Sequence, residues 1–133
     1  ADIICAATTS STPVLRYQDL KSGVHINGVG SFQPSMQEID SETIRNALVF
    51  LDSRESALSE TGDLTIPIQE GIIGKNHLRA EIGELLENPS LGRKTPDDIT
   101  FFKSCGVAVQ DVVAAGMALE QAKKHNLGRI IRM

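Results

Sequence analysis

Hydrophobic positions along this chain fall into two rhythms. Four short apolar runs, Ile3 to Ala7, Val24 to Val29, Leu48 to Leu51 and Ile99 to Lys103, lack the strict polar alternation of a half-exposed strand. Strands buried on both faces have this character, as in a parallel sheet covered by helices. Between the runs the spacing becomes helical. After a turn at Pro13, Tyr17 to Lys21 suits a helical turn that Ser22-Gly23 ends. Asp40 or Ser41 can cap a helix through Ile44 and Ala47, because either side chain accepts from a free backbone N–H. The stretches "DSRESALSETGD" and "IPIQEGII" read as short helical pieces separated by Gly62 and Pro67. In "NHLRAEIGELLEN" one helical face carries Leu78, Ile82, Leu85 and Leu86, while Glu81, Glu84 and Glu87 point away as a solvated face. "PSLGRKTPDD" is a loop.

The longest helix is expected after Ser104. Ala108, Val112, Ala115, Leu119 and Ala122 recur at helical spacing and form one stripe. The small residues Ala114, Ala115, Gly116 and Ala118 would let that helix lie close against a sheet or another helix. Asn126 and Gly128 stop it, and Lys123-Lys124-His125 complement the dipole at its end. "RIIRM" reads as a last edge strand. The succession of βα units predicts an α/β fold, half of a doubly wound parallel sheet.

Length and composition narrow the picture. At 133 residues the chain suits one domain with a core. A net charge of -4 gives no electrostatic reason to expect nucleic acid. Cys5 and Cys105 lie far apart, with no C-x-x-C and no histidine at ligand spacing, so neither a disulfide framework nor a zinc site is expected. Both thiols are expected to be reduced and packed inside, which points to the cytoplasm. No apolar run reaches the ~18 residues that span a membrane, and no basic region of a signal peptide precedes the apolar start. "ADIICAA" opens directly in a strand, as a piece of a longer chain would.

Candidate chemistry gathers at strand ends. Gly28-Val29-Gly30 follows the second run like the start of a G-x-G-x-x-G dinucleotide fingerprint, and Asp52 falls about 20 positions on, where an acid would hold a ribose. The third glycine position is Gln33, however, and Pro34 after it opposes a helix springing directly from the loop. The other reading is a strand ending at a carboxyl edge, where glycines let a flat ring approach the backbone. The hydroxyls of Thr8, Thr9, Ser10 and Ser11 leave the first strand at such an edge, as donors or as turn chemistry. Ser104 follows a third strand and can cap the long helix. A parallel sheet would bring all three stretches to one edge. Cys105 could gain thiolate character at a helix N-terminus, but no motif pairs it with His25, His77 or His125. His25 itself reads as a packed core residue. No carboxylate pair has a spacing that implies acid–base work.

Taken together, "ADIICAATTSSTPVL", "GVHINGVGSFQPSMQEID", "LDSRESALSETGD", "LRAEIGELL" and "TPDDITFFKSCGVAVQDVVAA" resemble the ornithine cyclodeaminase/mu-crystallin family, in order and over nearly the whole chain. That family's members depend on NAD or NADP. They include ornithine cyclodeaminases, archaeal alanine dehydrogenases, reductases of cyclic imino acids and vertebrate mu-crystallin. The resemblance implies a homodimeric parent with a dimerisation domain and a Rossmann domain, residues 1–133 being the second half of the latter. It places the pyrophosphate loop and the ribose acid upstream. Val29, Gly30, Ser31 and Phe32 match the segment beside the nicotinamide, Thr8 and Ser104 match further cofactor contacts, and Cys105 falls where the chain approaches substrate. Phe32 stands where ornithine cyclodeaminases carry the Asp that exchanges the catalytic proton, and Met36 stands where they carry a cofactor-contacting Lys. The implied activity is therefore reduction of a cyclic imino acid, or interconversion of a small amino and imino acid. The alternatives are true conversion of ornithine to proline and ammonia, or a non-catalytic NADP-dependent ligand-binding protein of mu-crystallin type. Because the substrate-gripping residues also lie upstream, the chain alone is expected to be inactive.

Overall fold

A computed structural model of the chain describes residues 1–129 and 131. The edge strand expected at 129–133 falls largely outside the described residues; Arg129 and Ile131 carry no regular structure. Five parallel strands, β1 (Ile3–Ala6), β2 (His25–Gly28), β3 (Leu48–Leu51), β4 (Leu78–Glu81) and β5 (Thr100–Lys103), form one sheet in the order β1-β2-β5-β3-β4. Four of them are the four apolar runs, with Ala7, Val24, Val29 and Ile99 just outside the ladder. The last strand in sequence is the middle one in space. Thr100 pairs with His25 of β2 on one side and with Leu48 of β3 on the other.

One face of the sheet makes the core. Ile26, Val49, Leu51 and Phe101 pack with Ile44 of α1 (Ser41–Asn46), Ala57 of α2 (Arg54–Glu60) and Leu64 of α3 (Gly62–Gln69). All seven are inaccessible to solvent, and each of the larger side chains contributes about 1.5–3 kcal/mol by leaving water. On the opposite face His25, Asn27, Phe50 and Phe102 line a groove of about 270 Å³ with Ile82 and Leu85 of α4 (Ile82–Glu87). His25 is thus half-buried in a groove rather than a core histidine. Its Nδ1 lies 2.8 Å from Thr100 Oγ1 and its Nε2 3.2 Å from Asn27 Oδ1.

The helix starts follow capping chemistry. Asp40 caps α1 by accepting from Thr43 N at 2.9 Å, and Ser53 caps α2 by accepting from Ser56 N. Gly62 opens α3 and Pro67 lies within it, so Pro67 does not separate two helical pieces. A proline at the sixth position of this eight-residue helix forfeits one backbone bond without dividing the segment.

Three further expectations are corrected. The supposed amphipathic helix at 76–88 is a strand followed by a helix. Leu78 and Ala80 face inward and Arg79 outward, in the period of two that β4 needs. Glu81 and Glu84 then form a capping box at the start of α4, and Glu81 also accepts from Arg54 N at 2.7 Å. Secondly, α5 (Ala108–Lys124) does not bury its stripe. None of its residues is buried, and Val112, Met117 and Leu119 are more than half exposed. Its end is as expected: Asn126 takes a left-handed φ of 53°, and Leu127 N donates to Ala122 O at 2.8 Å. Thirdly, Cys5 is exposed rather than packed inside, because β1 is an edge strand and Cys5 points to the open face. Among the described residues no helix is long and apolar enough to cross a membrane.

Candidate functional site

Because β1, β2 and β5 are parallel neighbours, their carboxyl ends deliver Thr8, the segment Val29–Phe32 and the pair Ser104-Cys105 to one edge. Thr8, Val29 and Phe32 are exposed there, Gly30, Ser104 and Cys105 are half-buried, and Ser31 is fully buried. Met36, where the resemblance implies a lysine in cyclodeaminases, is buried and carries no charge to the edge.

The glycine loop cannot cradle a phosphate. That role needs free backbone N–H groups converging on an anion. Here Val29 N donates to Ala6 O at 2.8 Å, while Gly30 N and Ser31 N donate to Glu38 Oε2 at 2.7 and 3.2 Å. Thr8 N, from the loop after β1, donates to the other carboxylate oxygen of Glu38. The anion in this cradle is the protein's own, and Glu38 is completely buried. Gly30 also differs from its sequence reading. A Cβ there would lie 2.1 Å from Thr8 O and 2.4 Å from Glu38 Oε1. The missing side chain makes room for another loop of the same chain, not for a ring.

Beneath Glu38 lies a second buried carboxylate. Asp63 Oδ1, in the first turn of α3, accepts from Glu38 N at 2.7 Å and Ile39 N at 3.1 Å. Its Oδ2 is 3.5 Å from Lys103 Nζ, and both side chains have no solvent exposure. Burial raises the Asp63 carboxyl above the ordinary carboxylate range. The Lys103 ammonium and the two N–H donors oppose that rise, and the nearby Glu38 charge adds to it. Ser31 Oγ, also buried, donates to Met36 O at 2.6 Å and lies 2.8 Å from Thr61 Oγ1. Sequence reasoning missed Glu38, Asp63 and Lys103. One signal was present: Lys103 falls in step with Phe101 at a period of two, which aims a charge at the core.

Asp52 is likewise committed to its neighbours. Its Oδ2 accepts from Ser104 Oγ at 3.0 Å and from the N–H groups of Cys105 and Gly106 at 2.8 Å each, and its Oδ1 accepts from Ser53 N at 2.7 Å. With both oxygens so engaged, Asp52 braces the turn after β5 and is not a free ribose acid. Ser104 is consequently not a helix cap. The helix begins at Ala108, behind Val107, with no side-chain cap.

Cys105 is therefore not at a helix N-terminus, and its thiol is pushed up to about 11. Burial is the main cause; Lys103 opposes it, and Asp52, Glu60 and Asp63 add to it. At pH 8 only about one Cys105 in a thousand should be thiolate, the attacking form. Iodoacetamide is expected to modify exposed Cys5 first, and the Cys105 rate should climb about tenfold per pH unit until near pH 11. Peptide mapping after timed alkylation checks this, and preferential labelling of Cys105 at pH 8 would contradict it. His77 Nε2 donates to Ile44 O at 2.8 Å, and His125 terminates α5, so neither histidine attends the thiol. Among the described residues no cluster of histidine, cysteine and carboxylate side chains could hold a metal ion.

A five-stranded parallel sheet with α1–α3 on one face and α4 on the other is an α/β fold of the doubly wound class. Within that class, the chain belongs to the ornithine cyclodeaminase/mu-crystallin family, whose model matches residues 1–126. It is 46% identical over 132 residues to a Delta(1)-pyrroline-2-carboxylate reductase of Bacillus cereus, covering 98% of this chain and 40% of that protein. The structure of Thermococcus litoralis Delta(1)-pyrroline-2-carboxylate reductase in complex with NADH and L-proline superposes with a TM-score of 0.91 at 39% identity, over 98% of this chain and 41% of the other. An archaeal alanine dehydrogenase dimer with bound NAD gives 0.87 at 32% identity, over 99% and 41%. The chain thus spans about two fifths of the length of the relatives it matches.

Proposed function

We propose that these residues form the nicotinamide-side half of the Rossmann domain of an NAD(P)-dependent reductase, one that acts on a cyclic imino acid of the pyrroline-2-carboxylate class. The observation that carries this reading is the occupied cradle at Gly30 and Ser31. With those N–H groups closed by Glu38, the edge offers no place for phosphate. What remains outward is uncharged: the Thr8 hydroxyl, the Val29 and Phe32 side chains, the Ser104 hydroxyl and the Cys105 thiol. That set suits a neutral ring bearing a carboxamide. Thr8 Oγ1 already accepts from Ser10 N, which leaves its O–H to donate. Ser104 gives its O–H to Asp52, which leaves its lone pairs to accept. A carboxamide presents both complements. On this reading Thr8, Val29, Phe32 and Ser104 line the cofactor, the Gly30–Ser31 backbone holds that segment in place behind them, and Cys105 faces the substrate as a neutral thiol.

When bound, the dinucleotide supplies the hydride. The chain's own part is to hold the ring against the Val29 and Phe32 side chains and to leave the substrate carbon open to it. Phe32 has no proton to exchange, which disfavours ornithine cyclodeamination. A protonated cyclic imine is already electrophilic and needs hydride alone. The phosphates, the ribose and the substrate carboxylate would be held by the parent protein's other residues, in keeping with the share of the relatives' length covered here. The archaeal alanine dehydrogenase, a dimer, supports a dimeric parent. An exposed free thiol at Cys5 suits a reducing compartment such as the cytoplasm.

The whole protein is expected to oxidise NADH or NADPH when given pyrroline-2-carboxylate, and to release no ammonia from ornithine. Absorbance at the dihydronicotinamide band reads the first and an ammonia assay the second. Tight dinucleotide binding without turnover of cyclic imines, or of pyruvate with ammonia, would replace this reading with a non-catalytic binding protein.

A further inference from the structure

Three strand ends that belong to different loops are joined by one buried chain of charge. Glu38 takes Thr8 N after β1 and both Gly30 N and Ser31 N after β2. Glu38 is itself held at its backbone. Its N–H donates to Asp63, and its C=O accepts from Val14 N at 2.8 Å and Leu15 N at 3.2 Å. Asp63 then meets Lys103, the last residue of β5 and the neighbour of Ser104. None of the three side chains reaches solvent, so none can touch a ligand.

We infer that Glu38 is a positioning residue for hydride transfer: its buried carboxylate fills the cradle a phosphate would occupy and thereby fixes the Thr8 and Gly30–Ser31 backbone against the nicotinamide, with Asp63 and Lys103 holding it in place. This rests on the nicotinamide-side reading of the edge. The chemistry requires an acceptor on both arms of the side chain. A carboxylate has two, each able to take more than one N–H, whereas the isosteric amide of glutamine has one acceptor and one donor arm. Glu38→Gln would therefore set an NH₂ against either Thr8 N–H or the Gly30 and Ser31 N–H pair, and one loop would come free without a change in side-chain volume. A misplacement of about 1 Å at a reacting centre can cost on the order of a hundredfold in rate. Dinucleotide affinity should move much less, since the pyrophosphate and ribose dominate it.

The test uses the whole protein and two readouts. In Glu38→Gln, kcat for pyrroline-2-carboxylate is expected to fall about 10- to 100-fold, while KM for the dinucleotide stays within about threefold, the pattern of an interaction that matters in the transition state. Hydrogen exchange followed by mass spectrometry should show peptides spanning 7–10 and 29–33 exchanging at least about tenfold faster, with the strands still protected. A folded variant with wild-type exchange in both segments overturns the inference. So does faster exchange with an unchanged kcat, which would leave Glu38 a merely structural role. If the unsubstituted protein neither binds NADH or NADPH nor turns over, the reading of the site falls on its own account. Exchange in Glu38→Gln still decides the clamp then, faster exchange supporting it and unchanged exchange overturning it.

Discussion

Asp63→Ala should lower folding stability by about 3–5 kcal/mol, the cost of stripping one partner from a buried ion pair. The loss has two sources. Lys103 would be left as a fully buried ammonium with no counter-charge, since Asp63 lies 3.5 Å from it and the Lys103 nitrogen has no hydrogen-bond partner among the described residues. Glu38 N and Ile39 N would also lose their acceptor, and a buried orphan N–H costs about 1–3 kcal/mol. The two contributions separate in a cycle. Adding Lys103→Met to Asp63→Ala removes the stranded charge and should recover part of the loss, while the orphaned N–H groups keep the double variant below wild type. Urea midpoints of the four proteins measure this. A stability for Asp63→Ala within about 0.5 kcal/mol of wild type, the range of ordinary surface changes, would show that the pair and its N–H donors are not what holds this region.

Gly30 is the second position of large effect, and steric room decides it. Even alanine there must push on backbone, because Thr8 O, Thr8 N and Glu38 Oε1 all lie within 2.5 Å of the new Cβ. Neither Thr8 atom is the free end of a flexible side chain, so the two loops would have to part. Gly30→Ala is expected to destabilise by about 1–3 kcal/mol, and Gly30→Val by more, as overpacking does. Gly116 is the control. It lies in the middle of α5 with nothing within 4 Å of its would-be Cβ, so Gly116→Ala should stabilise by about 0.5–1 kcal/mol through helix propensity alone. Thermal midpoints that move in the same direction for both variants would refute the steric account.

The sheet is largely legible in the sequence because buried parallel strands write themselves as short apolar runs, and four of five do so here. β4 is hidden by arithmetic. Four residues hold just two alternations, and Leu78 happens to stand four positions before Ile82 and seven before Leu85, which completes a helical stripe across the strand–helix boundary. α5 misleads in another way. Its stripe of Ala108, Val112, Ala115, Leu119 and Ala122 is real, but periodicity reports that a face is fit for burial and not what lies against it. At the edge, neutral and hydroxyl residues at strand ends are readable, since a parallel sheet must bring them together. Glu38, Asp63 and Lys103 are not, because their pairing joins positions 25 and 40 residues apart in sequence through side chains. A lone glutamate before an isoleucine carries no mark that three backbone amides await it.

The central place of β5 bears on the order in which the chain can assemble. Until Thr100–Lys103 arrives, β2 and β3 have no partner between them, so β1 with β2 and β3 with β4 are two separate pairs that share no ladder. The strand that joins them closes a loop of 75 residues, from His25 to Thr100. Such distant parallel pairing is slow to nucleate, because the entropy of closure is lost before any contact rewards it. A chain growing from a ribosome would hold residues 1–99 in two unfinished pairs that share no ladder until β5 emerges. The arrival of β5 would zip both edges at once and bring Lys103 to Asp63 in the same step, so that completion of the sheet and neutralisation of its buried charge become a single late event.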